Sequence, residues 1–322
     1  MLNLLILERR AEEIRKVLAP KFPELSIYSA TKEEEVGEVI KEMDILLVLN
    51  ISDGLLKKAS KLQWIQFASS GMLDKLSKLP SLRKEVMVTS AKGIHGPQGS
   101  EMAFLLMLAL NRNLPQIVRN QDQRIWERWP GRLLYRKNVG ILGVGVIGEE
   151  IARKCKAFGM TVFGISRTKK QVDAVDYFHG PEELLHVLKE VDYFIIAAPY
   201  TPETEKMVGA RELSSMKPTA FLINIGRGAI IDEDALLDAL KSGKIAGAAL
   251  DAFCEEPLPE HHPFWDVKNL IITPHLAGVS DIWVEQVLTI VEENLHRFLR
   301  GERQNLINLI THGQGLHLQV PM

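Results

Sequence analysis

Cysteine is nearly absent from this chain. Cys155 and Cys254 are the only two among 322 residues, too few for a disulfide framework and in keeping with a reducing compartment. Cys155 falls inside a helical pattern and reads as a small buried hydrophobe. An excess of positive charge is missing too. The 39 Lys and Arg stand against 41 Asp and Glu, a net charge of −2, so nothing in the composition would hold a nucleic-acid backbone. Long apolar runs are also lacking. The nearest approach, Met102–Leu110, falls far short of the roughly 20 residues that span a bilayer. The apolar start Met1–Leu7 runs at once into Glu8, Arg9 and Arg10 without a basic leader or a small-residue cleavage site, so a first strand is expected there and not a signal peptide. Neither nucleic acid nor membrane is expected as a partner, no metal site is expected, and the cytoplasm is the default location.

What the chain does contain is 46% hydrophobic and 25% charged residues, enough to bury sizeable cores, at a length suited to two domains. Short apolar runs alternate with helical periodicity from the start. Strands are expected at Leu2–Leu7, Asp44–Leu49, Trp64–Phe67 and Val86–Thr89, and helices at Arg9–Ala19, Lys32–Glu42 and Asp53–Ser60. A long helix begins near Pro97. The polar, Trp-containing stretch Gln116–Arg132 reads as an extended arm. A second series follows, with strands at Val139–Leu142, Thr161–Ile165, Tyr193–Ala197, Ala220–Ile225, Gly247–Leu250 and Leu270–Thr273, and helices at Ile147–Phe158, Glu182–Glu190 and Asp232–Lys241. The alternation predicts an α/β fold with two Rossmann-like, doubly wound parallel-sheet domains. The amphipathic stretch Ile282–Arg300 could return to the first of them. The tail from Thr311 shows no periodicity.

Gly143-Val144-Gly145-Val146-Ile147-Gly148 follows one predicted strand and opens a helix, with another strand beyond. A bare glycine pattern of this spacing is weak, but that setting makes it a dinucleotide-binding turn. Gly143 permits the tight turn, Gly145 lets the backbone approach a pyrophosphate, and Gly148 lets helix and strand pack closely. The helix N-terminus at Val146 and Ile147 then offers N–H groups to the anion. An NAD site usually ends its second strand on an acid that binds the ribose 2′-hydroxyl. Here that strand ends on Ser166-Arg167-Thr168, without a carboxylate, which suits the 2′-phosphate of NADP(H) better than NAD(H).

Three further segments fall at the C-terminal ends of predicted strands, where open parallel sheets place ligands. Asn224-Ile225-Gly226-Arg227-Gly228 presents one cation between glycines, and a guanidinium can grip a carboxylate or keto oxygen with paired hydrogen bonds. The second runs from Leu250 through Asp251 to Glu255, Glu256 and Pro257, and the third is Thr273-Pro274-His275-Leu276-Ala277-Gly278. Reducing a carbonyl needs a proton delivered to oxygen, a task suited to a histidine oriented by a carboxylate. Taken singly, His275 would more often be a loop histidine and Glu256 a solvated acid. The set carries the argument. His261 and His262 lack a strand-end setting and read as surface residues.

With these motifs in this order, and with Gly93-Ile94-His95, Ser100-Glu101-Met102-Ala103 and Ala198-Pro199-Tyr200-Thr201-Pro202-Glu203-Thr204 in support, the chain resembles the D-isomer-specific 2-hydroxyacid dehydrogenases from about Trp64 to about Gly301. The resemblance implies a substrate domain built from residues 1–99 and 280–322, a dinucleotide-binding domain over 100–279, a cleft between the two, and a homodimer made through the cofactor domain and an arm at 100–136. It implies Arg227 at the substrate carboxylate or carbonyl, His275 as proton donor and nicotinamide-facing residue, and Glu256 as its partner, with Glu255 the competing acid. It further implies Asp251 at the nicotinamide carboxamide, with Pro199, Ile225 and Gly278 contributing backbone and Thr204 in the same cofactor region. Ser70 and Gly71, with Ser69 a less certain neighbour, would receive the substrate carboxylate. Trp283 reads equally as a pocket wall and as a core residue.

Within the family, the Ser166-Arg167-Thr168 strand end looks most like the glyoxylate/hydroxypyruvate reductases. The short chain does too, since no regulatory extension follows the last helix. A small 2-keto or 2-hydroxy acid is therefore the expected partner. The competing reading is a binding protein or corepressor that senses the dinucleotide without turnover. An alcohol dehydrogenase of the zinc type finds no cysteine cluster to hold its metal.

Overall fold

The short apolar runs form strands of two parallel sheets: β1 (Leu2–Leu7), β2 (Leu25–Ala30), β3 (Ile45–Val48), β4 (Trp64–Phe67), β5 (Met87–Ser90), β6 (Asn138–Leu142), β7 (Thr161–Ile165), β8 (Tyr177–His179), β9 (Tyr193–Ile196), β10 (Phe221–Asn224), β11 (Gly247–Leu250), β12 (Leu270–Ile272) and β13 (Leu309–Ile310). The structure, a computed structural model, describes residues 1–71, 76–168 and 172–310. The features expected of the tail from Thr311 lie outside them. The chain divides into Met1–Ile94 with the chain from Ser280 onward, and His95–Val279.

In the first unit the strand order is β13-β5-β4-β3-β1-β2. All neighbours are parallel except the antiparallel pair β13 and β5. Residues of β3 and β4 are buried throughout, as strands covered on both faces must be. One face packs Leu4, Ile6, Ile14 and Trp64 against the helix Trp283–Leu299, and the other packs Leu5, Ile40, Leu46 and Phe67. That late helix is tied in by polar groups as well. Buried Asn294 donates to Gln66 Oε1 at 2.9 Å, and Thr89, which accepts from the Trp64 indole at 2.8 Å, donates to the same oxygen at 2.6 Å. Satisfying these groups fixes one packing of the helix.

The second unit is a seven-stranded sheet in the order β12-β11-β10-β9-β6-β7-β8, every pair parallel. The chain runs outward from β6 to β8, then returns to β9 and continues the other way. The topological switch therefore falls between β6 and β9, where such sheets bind their ligands.

Several expectations change. Lys32–Glu42, expected as one helix, forms two 3-10 turns at Glu33–Glu35 and Gly37–Glu42, divided at Gly37 with φ of 54°. Edge strands β2, buried only at its first and last residues, and β8, with no buried residue, escape the periodicity because they carry no continuous apolar run. The helix Ala210–Ser215 falls where the periodicity predicts none. The expected extended arm is helical over its first part, Leu114–Asp122, and irregular only beyond it. Residues 95–99 cluster with the second unit, and the helix Gly96–Arg112 is continuous and packs on Val146–Ala157 through close approaches at Gly96 and Gly99.

Candidate active site

At the end of β6 the backbone turns through Gly143, whose φ of 96° favours glycine, and a Cβ there would lie 2.6 Å from the Ala198 backbone. A Cβ at Gly148 would meet the Gly143 carbonyl oxygen at 2.2 Å. Gly145, in contrast, has nothing within 4 Å of where its Cβ would be. The helix Val146–Ala157 starts directly after it without a side-chain cap, leaving first-turn N–H groups for a ligand. An open backbone face, a helix N-terminus and a switch point fit a dinucleotide pyrophosphate. At the end of β7, Ser166 N–H donates to His179 O at 3.1 Å, while Arg167 and Thr168 are exposed. Glu203, held below the ordinary carboxylate range mainly by the Thr201 hydroxyl, also feels the Arg167 charge.

After β9 the chain makes a turn closed by Thr204. Its hydroxyl accepts from Thr201 N–H at 2.7 Å and donates to Pro199 O at 3.0 Å. After β10, Asn224 orders the arginine segment. Its amide donates to Arg227 O at 3.0 Å and its carbonyl accepts from Gly226 N–H at 2.9 Å. Ile225 is buried and the Arg227 guanidinium, half-buried, donates to Gly226 O at 2.8 Å.

The last two segments meet. His275 Nδ1 lies 2.8 Å from Glu256 Oε2 and 3.0 Å from Oε1. Glu256, and not Glu255, is the acid at the ring, and its Oε1 also accepts from Phe253 N–H at 2.9 Å. A carboxylate on Nδ1 leaves Nε2 as the outward nitrogen. The His275 side chain stays 41% exposed.

His275 adopts φ of 53°, a left-handed conformation that costs a non-glycine residue roughly 1–3 kcal/mol. Asp251 offsets that cost. Fully buried at the end of β11, it accepts from Thr273 Oγ1 at 2.5 Å and Leu276 N–H at 2.9 Å through Oδ1, and from Ala277 N–H at 2.8 Å through Oδ2. Asp251 was expected to face a carboxamide, but three of its acceptor positions are spent on the histidine loop.

His95, which the sequence offered only as a motif match, sits against Gly278, its ring 3.8 Å from where a Cβ would stand, with Nδ1 3.0 Å from Gln98 Nε2. Burial, and then the Arg227 charge, lower its pKa below 6.5. His262 is not the plain surface residue expected. It is half-buried, accepts from Phe264 N–H at 3.3 Å and faces Glu233. A signal for Asn224 and Asp251 was present, since both are polar residues ending apolar strands. No sequence signal marked Glu233.

In the first unit, Ser70 and Gly71 follow β4 on a half-buried loop, and the neighbouring Ser69 Oγ is buried without a hydrogen-bond partner. Trp283 packs against the core of that unit. Among the described residues no group of three or more His, Cys, Asp or Glu could hold a metal ion, and no helix is long and apolar enough to cross a membrane.

Comparison with known proteins agrees with this geometry. The family described as D-isomer specific 2-hydroxyacid dehydrogenase, NAD binding domain, matches residues 104–277. A D-3-phosphoglycerate dehydrogenase of Methanocaldococcus jannaschii is 32% identical over 96% of this chain, which spans 60% of that longer protein. A glyoxylate reductase of Thermococcus litoralis is 33% identical over 89% of this chain and 91% of its own. Among solved structures, a D-isomer specific 2-hydroxyacid dehydrogenase family protein from Aeromonas salmonicida superposes with a TM-score of 0.89 at 35% identity, covering 97% of this chain and 99% of the other. A D-isomer specific 2-hydroxyacid dehydrogenase from Xanthobacter autotrophicus, in complex with NADPH and MES, gives 0.82 at 28% identity over 96% and 98%. The chain belongs to the D-isomer specific 2-hydroxyacid dehydrogenase family. Members of that family are nicotinamide-dependent oxidoreductases, and this chain is a dehydrogenase of the same kind.

Proposed function

We propose that the protein reduces a small 2-keto acid of the glyoxylate or hydroxypyruvate type to the D-2-hydroxy acid, with His275 as proton donor and NADPH preferred to NADH. The observation that carries the reading is the Glu256–His275 pair at 2.8 Å, on the unit that also holds the Gly143–Gly148 turn. The dinucleotide would be held at its pyrophosphate by Gly143, Gly145, Val146, Ile147 and Gly148. Pro199, Thr204, Ile225, Asp251 and Gly278 would lie toward its nicotinamide. When bound, it supplies the hydride.

The chain's own residues do the rest. Glu256 accepts from Nδ1, orients the ring and stabilises its charged form, so that Nε2 presents the second proton to the substrate oxygen. Arg227 pairs with the substrate carboxylate or carbonyl through charge-assisted hydrogen bonds. Ser70 and Gly71 on the first unit, the substrate domain in this reading, are assigned to the substrate carboxylate through their backbone N–H groups. The cofactor preference is supported by Arg167 and by the absence of a carboxylate among Ser166, Arg167 and Thr168. It is supported as well by the relative from Xanthobacter autotrophicus whose structure holds NADPH.

The test is oxidation of NADPH and NADH in the presence of glyoxylate, hydroxypyruvate, pyruvate and bulkier keto acids. We expect turnover with the small acids, reduced about 10²–10⁴-fold by His275→Ala, and a loss of NADPH preference in Arg167→Ala. Saturable NADPH binding without turnover on any 2-keto acid would overturn the reading in favour of a dinucleotide sensor.

A further inference from the structure

We propose that Glu233 is a positioning residue for the Glu256–His275 pair, holding the turn from which Glu256 reaches the imidazole. The proposal rests on the reading of His275 given above. Glu233 opens the helix Glu233–Lys241, but it is not the cap. Asp232 fills that place, accepting from Ala235 N–H at 3.2 Å. The Glu233 carboxylate, on a side chain only 18% exposed, turns instead to the 253–256 turn, where Oε1 accepts the Cys254 N–H at 2.9 Å.

The next N–H back along the chain, that of Phe253, is taken by Glu256 itself at 2.9 Å. Two adjacent backbone donors are thus held by two carboxylates, one from outside the turn and one from within it. The inner one is the acid that meets His275. Without the outer one, the turn would depend on the same carboxylate that has to orient the ring.

A second contact fixes the other side. A Cβ at Gly228, the residue after Arg227, would fall 2.0 Å from the Phe253 carbonyl carbon, so the arginine segment and this turn abut backbone to backbone. Two groups face Glu233 besides the amide. His262 Nε2 is 4.0 Å from Oε2, and the Cys254 thiol points at the same carboxylate.

The experiment follows the His275 Nδ1–H resonance by NMR, which reports the hydrogen bond to Glu256, in the wild-type chain and in Glu233→Ala, Glu233→Gln and Glu256→Gln, with melting curves for each. Glutamine keeps an oxygen for Cys254 N–H, so its resonance should stay at the wild-type position. Alanine should move it toward the Glu256→Gln position and lower kcat for keto-acid reduction about tenfold with KM little changed. If alanine unfolds, Glu233→Asp, which draws the oxygen back by one methylene, should shift the resonance in the same direction. A wild-type resonance in Glu233→Ala, beside a shifted one in Glu256→Gln, would overturn the proposal, and so would Glu233→Gln behaving like alanine. The NMR measurement needs no substrate. A wild-type chain inactive on every keto acid would therefore sink the functional reading and leave this one to be decided by the resonance.

Discussion

At the scale of single residues, the site is made of side chains whose neighbours assign them one role each. Cys254 shows how strongly a neighbour can act. It is exposed as a residue, yet partial burial of its thiol, and then the facing Glu233 carboxylate, push its pKa from 9.0 up to about 11. The thiolate is the reactive form. A raised pKa therefore means less thiolate at any pH below it, and the alkylation rate should climb toward pH 11 instead of levelling near 9. At pH 8 iodoacetamide should modify Cys254 about a hundredfold more slowly than an ordinary exposed thiol. Cys155, buried and pushed up to about 12, should be slower still. Mass spectrometry of the native protein after timed exposure reads both rates. Labelling of Cys254 as fast as that of glutathione would refute the argument.

At the scale of elements, the strand ends of the second sheet supply the chemistry and short polar brackets supply the precision. The 273–278 loop is the clearest case, because it holds His275 in a left-handed conformation that it would not adopt unaided. Asp251→Asn keeps the size of the side chain and removes an acceptor, setting an amide NH₂ against a buried backbone N–H. Leaving such a donor unpaired costs about 1–3 kcal/mol. Urea denaturation should show that loss of stability. A variant as stable as wild type would mean that Asp251 does not hold the loop.

At the scale of the whole molecule, the helices Gly96–Arg112 and Leu114–Asp122 leave Leu105, Leu108, Leu114, Ile117 and Val118 facing outward, followed by Trp126 at 91% exposure and Leu133. An apolar surface of that extent marks an interaction site. Beside it lies a groove of about 760 Å³ lined by Asn111, Arg119, Trp129, Arg132 and Phe221. We expect a homodimer through this face. Light scattering should give twice the 36.2 kDa chain mass, and Leu105→Glu with Trp126→Ala should halve it. A wild-type chain that scatters as a monomer would remove the proposal.

The sequence by itself determined what depends on neighbours along the chain. The parallel strands were legible as short apolar runs, the dinucleotide turn as glycines between a strand and a helix, and Arg227, Glu256 and His275 as polar residues at strand ends. Edge strands β2 and β8 were not legible, because a strand covered on one side carries no continuous apolar signal. The helical start of the arm was hidden because its apolar residues face outward and its one buried residue, Asn120, is polar. The resemblance pointed to Glu256 and left Glu255 competing, and the tertiary structure decided between them, since the two are chemically alike and only the turn chooses. Tertiary structure alone brought Glu233 to Cys254 and Asp251 to the histidine loop, because hydrogen bonds between residues 21 to 26 positions apart are set by sheet register, which no local pattern encodes.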